Sequence, residues 1–107
     1  MKKEIREIIE NEEWAIYEDE NGVDLRKYSN LGEDFGFYVD KENLVYNIIS
    51  YARTFDADEH AKMWIENMHT TQGVPQSIRA LIEDADYIKD MLENLADKLQ
   101  PYLYEEE

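Results

Sequence analysis

The sequence predicts an α+β fold: an N-terminal helix, a three-stranded antiparallel meander, then three or four helices packing on one sheet face. Two observations predict it. Apolar residues recur at helical spacing before residue 12 and again after residue 42, whereas between Trp14 and Val39 they alternate with polar ones around two turn signals. Strands and helices are thus segregated along the chain, which argues against a parallel α/β arrangement.

The elements follow in order. Residues 2–12 place Ile5, Ile8 and Ile9 on one side of a short helix. In Trp14 to Glu18, Trp14 and Ile16 alternate with Ala15 and Tyr17, a strand pattern. Asp19-Glu20-Asn21-Gly22 reads as a hairpin turn in which Asn-Gly supplies positive φ angles. Val23 to Tyr28 alternates again, with Val23, Leu25 and Lys27 sharing a face, and Ser29 to Asp34 makes a second connection. Phe35, Phe37 and Val39 form the inward set of a third strand, and Tyr38 points the other way. A helix over 42–53 carries Leu44, Val45, Ile48, Ile49 and Ala52. Asp56 as N-cap with Glu59 three residues on starts the next helix, which packs Ala61, Trp64, Ile65 and Met68. His69 to Val74 reads as a polar loop, and Pro75 fits the first turn of a further helix. From there positions 78, 81, 85, 88, 92, 95 and 99 stay in phase, giving one long helix or two with a kink where Asp84 re-caps. Pro101 stops it, and an acidic tail begins at about residue 102.

The 107 residues suit a single domain spanning 1–107, large enough for one core. Aromatics at 12% argue against disorder despite the charge. Without cysteine, disulfides and thiolate chemistry are excluded, and a reducing cytoplasmic setting is expected. No signal-peptide core or run of about 20 apolar residues occurs, so neither export nor a membrane role is expected.

Charge restricts function further. With 26 acidic against 11 basic residues, the net charge of -15 repels nucleic acid and attracts basic surfaces. Lys2, Lys3 and Arg6 are interleaved with Glu4, Glu7 and Glu10, so no basic face forms for phosphate contact. Asp56 and His60 are four apart and resemble a pair of metal ligands, but no His-Glu-x-x-His or calcium-loop pattern surrounds them, so the helix cap is the expected role. Neither His60 nor His69 is paired with a nucleophile, and the glycines form no phosphate loop. No enzymatic activity, metal or cofactor is expected.

One pattern points to a partner. Glu83, Asp86, Asp90, Glu93 and Asp97 lie within an arc of roughly 80° on the last helix, apart from the stripe of Leu81, Ala85, Ile88, Leu92, Leu95 and Leu99. Their axial repeat of about 4.5–6 Å approaches the spacing of backbone phosphates, about 3.4 Å along a strand. No basic residue stands among the five in the stripe, so like charges repel where Glu-to-Lys pairs would stabilise. A second acidic concentration holds Glu10, Glu12, Glu13, Glu18, Asp19 and Glu20.

Phe55-Asp56-x-Asp58-Glu59-His60 followed by Met63-Trp64-Ile65, then Gly73-Val74-Pro75-x-Ser77-Ile78-Arg79-x-Leu81-x-x-Asp84-Ala85, resembles a group of small acidic proteins encoded by phages, plasmids and conjugative elements of gut Firmicutes. The strand around Asp34, Phe35 and Phe37 is similar as well. The resemblance implies a mobile-element setting without a mechanism; the analogy is with small acidic mobile-element proteins in general, which often neutralise host nucleases by imitating DNA. The expectation is therefore a non-enzymatic acidic binding protein of the anti-CRISPR or anti-restriction type. The five stripe residues would meet a basic nucleic-acid-binding groove, with exposed Tyr or Trp residues as anchors. The alternative is a helical interaction or adaptor module of a mobile-element operon, docking through apolar contacts. Oligomeric state is open in both.

Overall fold

The computed structural model describes residues 1–68 and 78–104. The expected loop at His69–Val74, Pro75 and the last three glutamates lie outside the described residues, as does the Met68 side chain. The architecture is α+β: α1 (Lys3–Asn11), β1 (Ala15–Glu18), β2 (Gly22–Tyr28), β3 (Asp34–Asp40), α2 (Leu44–Thr54), α3 (Ala57–Met68) and α4 (Ile78–Leu99), ending in a 3-10 turn at Gln100–Tyr102. The strands form an antiparallel meander ordered β1-β2-β3, with Leu25 opposite both Ile16 and Phe37.

A Schellman motif carries the chain from α1 into the sheet. Trp14 N–H donates to the Ile9 carbonyl at 3.2 Å and Glu13 N–H to that of Glu10 at 2.9 Å, with Glu13 left-handed at φ 68° where glycine is usual. That turn drops Trp14 into the core, edge-on to Phe37 at 5.7 Å. On the covered face of the sheet, Val23, Leu25, Phe35, Phe37 and Val39 are buried as expected, and Lys27 reaches over the Trp14 ring to donate to the Glu12 carbonyl at 2.7 Å. Phe37 stacks on Tyr51 of α2 at 4.3 Å between ring centroids. Apolar side chains of α1, α2 and α4 complete this core. The opposite sheet face carries no helix among the described residues and exposes Tyr17, Tyr28 and Tyr38.

The first hairpin differs from its expected chemistry. Among the described residues, positive φ angles occur at Glu13, Gly32 and Asn43, and at neither Asn21 nor Gly22. The turn is shaped instead by the Asp19 carboxylate, whose Oδ1 accepts the N–H groups of Asn21 and Gly22, each at 2.8 Å. Gly22 is needed for space: a Cβ there would lie 2.5 Å from the Tyr38 ring and from the Val39 carbonyl oxygen.

Over the described residues α4 is one unbroken helix, so Asp84 does not re-cap it. Its side chain is committed elsewhere, buried against the β2–β3 connection. The apolar stripe from Leu81 to Leu99 packs as its spacing predicts, whereas Ile78 is exposed. A satellite cluster of Ala57, Ala61 and Ala85 under Phe55 joins α3 to α4 through small side chains that permit close approach.

Candidate functional site

The five stripe carboxylates all lie along the outer side of α4, but they do not form an unpaired row. Glu83 faces Arg79 one turn earlier at 3.8 Å, Glu93 is bound by Lys89 at 3.3 Å, and Asp97 accepts from Arg53 of α2 at 2.9 Å. The Lys89–Glu93 contact was visible as an i, i+4 pair; Arg53 arrives from another helix, beyond the reach of helix periodicity. Asp86 and Asp90 are exposed and have no basic partner among the described residues. The carboxylates without a basic partner among the described residues thus contract to Asp86 and Asp90, near the middle of α4.

There the helix borders a groove of about 310 Å³, lined by Asn30 and Leu31 from the β2–β3 connection and by Ala80, Glu83, Asp84, Asp86, Tyr87 and Asp90 from α4. Four carboxylates surround one depression, flanked by the partly exposed Leu31 and Tyr87 side chains. Sequence reasoning placed Asp84 at a possible kink and missed its position here. It is only 2% exposed; Oδ1 accepts Leu31 N–H at 2.8 Å, and buried Oδ2 has no partner among the described residues. A carboxylate in that state is unusual, because buried polar atoms are nearly always satisfied.

The opposing wall is pre-organised. Ser29 is buried and its Oγ accepts Glu33 N–H at 2.9 Å, while Gly32 adopts φ +89° and donates to the Ser29 carbonyl. Glu33 Oε2 meets His60 Nε2 of α3 at 2.8 Å, and that imidazole sits against Phe35, Phe55 and Trp64. The connection is therefore tied to α3 through Glu33 and to α4 through Leu31. Asp56 caps α3, its Oδ1 accepting Glu59 N–H at 3.1 Å. Among the described residues no three His, Asp or Glu side chains are grouped to hold a metal ion.

Two members of the second acidic concentration, Glu18 and Asp19, are engaged by their own surroundings. Arg6 and Lys41 both bridge to Glu18. Asp19 is held below the usual carboxylate range, chiefly by the Asn21 and Gly22 N–H groups and then by the Tyr38 hydroxyl, which donates at 3.0 Å. The Tyr38 phenol is pushed above its ordinary value by desolvation and by that same bond. On the bare sheet face Arg26 is bracketed by Asp24 at 2.9 Å and Asp34 at 3.4 Å. Neither tryptophan is an exposed anchor, since Trp14 is buried and Trp64 half-buried; Tyr87 is the aromatic beside the acids.

Comparison with protein-family models, curated proteins and solved structures returns no match. No helix among the described residues is long and apolar enough to cross a membrane.

Proposed function

We propose that this is a non-enzymatic, cytoplasmic acidic binding protein that docks on a basic protein surface. In the narrower form of the proposal, that surface is the nucleic-acid groove of a host-defence nuclease, which the protein blocks by imitating DNA. One observation carries the reading: Asp86 and Asp90, without basic partners among the described residues, stand with Glu83 and Asp84 around a single groove beside Tyr87. Charge without internal neutralisation, next to an aromatic side chain, suits a basic partner whose lysines and arginines steer it in and whose contact buries the ring. The mobile-element resemblance supports the narrower form. The contact surface is smaller than a five-acid stripe, because Arg53 and Lys89 already engage Asp97 and Glu93. Expression in a restricting or CRISPR-bearing bacterial host tests it: the wild type should relieve interference with incoming phage, and Asp86→Lys with Asp90→Lys should not. Relief that survives the double reversal overturns the reading.

The adaptor alternative is favoured by a different observation. Ile78 and Ile82 are exposed on α4, and Ile82 borders an apolar groove with Ala61 and Ile65 of α3. Binding there should resist high salt, whereas docking through Asp86 and Asp90 should weaken steeply as ionic strength rises.

A further inference from the structure

We infer that the chain pairs with a second copy of itself through the outer side of α3, the two α3 helices running antiparallel about a two-fold axis at position 64. The inference goes beyond the acidic docking reading and uses a different groove, the one between α3 and α4. Ala61 forms its floor, and Ile65 and Ile82 supply its apolar walls. Ile82 is 42% exposed, and Ile78, one turn earlier on the same side of α4, is 61% exposed. Isoleucines side by side along an apolar groove make a contiguous patch, which marks a contact surface where scattered ones would not.

The charges along the groove identify what covers it. Lys62 and Glu66 line it beside Ile65; both are exposed, and neither makes an ion pair among the described residues although they are one turn apart. With the axis at 64, Lys62 of one copy faces Glu66 of the second copy, and Glu66 faces its Lys62. Each ion pair then forms twice, and Ile65 of each copy enters the groove of the other. An axis at 62 would set Lys62 against itself and Asp58 against Glu66, so the charges select the register. An axis at 60 would pair Lys62 with Asp58 but would move the contact off Ile65, toward the first turn of α3. Residues 61–82 contain Lys62, Glu66 and Arg79 as their only charged residues, so this stretch escapes the acidic excess of a chain at -15. Two copies repel each other elsewhere and can approach here. Asp58, the remaining charge on the groove, lies about 9 Å along α3 from the axis position, outside the reciprocal pairs. An unrelated partner would have to present an apolar side chain between one acid and one base at matching spacing, and a second copy already does. Asp86 and Asp90 line the other groove, so the acidic docking reading neither requires nor forbids the pairing.

Sedimentation equilibrium of the full chain, from micromolar to submillimolar concentration, tests the pairing. The wild type should follow a monomer–dimer equilibrium. Lys62→Glu and Glu66→Lys, both at exposed positions, should each weaken association about tenfold or more, because each sets like charges together twice across the axis. Mixed in equal amounts, the two variants should associate with each other, since every facing pair is then opposite in charge. The double variant carrying both substitutions should recover the wild-type dimer for the same reason. Ile82→Glu should abolish the dimer while far-UV circular dichroism shows the fold kept; if that variant unfolds, the charge exchange alone carries the test. A wild type that stays monomeric throughout overturns the inference and leaves the groove to an unrelated partner, as in the adaptor reading. A dimer that survives both single reversals, or a mixture of the two variants that stays monomeric, overturns the α3 pairing. A dimer kept in Ile82→Glu but lost in Asp86→Lys with Asp90→Lys would place the contact at the acidic groove and overturn it as well.

Discussion

Replacing Gly22 by alanine isolates the contact on which the first hairpin depends. The added Cβ would meet Tyr38 Cζ, Tyr38 Oη and the Val39 carbonyl oxygen, all at 2.5 Å. Tyr38 is half exposed, so its ring can swing aside, losing its bonds to the Asp19 carboxylate at 3.0 and 3.2 Å. Those are surface bonds, and giving them up adds little to the cost. The Val39 carbonyl has no such freedom, because it belongs to the strand that pairs residue for residue with β2 from Gly22↔Asp40 to Tyr28↔Asp34. Relieving a backbone clash by displacing paired strands belongs to the overpacking class, so the cost is about 1–3 kcal/mol. At about 4–8 °C per kcal/mol for a domain near this size, the melting midpoint should fall by roughly 4–24 °C. Urea unfolding followed by far-UV circular dichroism gives the free energy, and repeating it in a Tyr38→Ala background separates the contributions. Most of the cost should persist there, since the carbonyl remains. A loss below about 0.5 kcal/mol in the wild-type background would refute the steric account of this glycine.

Four further outcomes follow from the same geometry. Gly32→Ala meets no atom within 4 Å, yet φ is +89°, so it should cost about 1 kcal/mol through backbone conformation alone, read as a shifted urea midpoint with an unchanged slope. Glu13→Gly, at φ 68° in the Schellman position after α1, should stabilise by about 0.5–1 kcal/mol in the same assay, because a left-handed non-glycine residue is strained there. Burial raises the Tyr51 phenol above its ordinary value of 10.0, and Tyr38 is raised as well. The folded state favours their neutral forms, so this stability is fully present below pH 10 and is lost as pH rises through the raised values. The unfolding midpoint should therefore drop from about pH 9 to about pH 11, and Tyr51→Phe should lessen the drop. Asp19 has the opposite sign: its lowered value gives stability present above 3.8 and lost as pH falls through the folded value.

Most of the fold was legible because its signals are local. Phe35, Phe37 and Val39 alternate, and the α4 positions from Leu81 to Leu99 keep helical phase, so each pattern identifies its buried face without knowing the partner. The Asp56 cap was legible for the same reason: donor and acceptor are three residues apart. What escaped depends on contacts distant in sequence. Asp84 is buried because it accepts Leu31 N–H, 53 residues away, and nothing near Asp84 announces that bond. Arg53 neutralises Asp97 across 44 residues, and His60 binds Glu33 across 27. Arg79 before Glu83 and Lys89 before Glu93 are the legible exceptions, because each pair is one helical turn apart. In the hairpin, Asn21-Gly22 suggested left-handed angles, but the Asp19 side chain shapes the turn and leaves Gly22 to satisfy a steric demand set by β3.

The most direct test of the central claim is competition for whatever the acidic groove holds. Wild-type protein and the Asp86→Lys, Asp90→Lys variant are immobilised in parallel, loaded with bacterial extract at low salt, and washed with duplex DNA. A nucleic-acid-binding protein held by the wild type alone and released by DNA or by high salt is the predicted result. Retention of the same proteins by both columns, or a wild-type partner that duplex DNA does not displace, would contradict DNA mimicry by this groove.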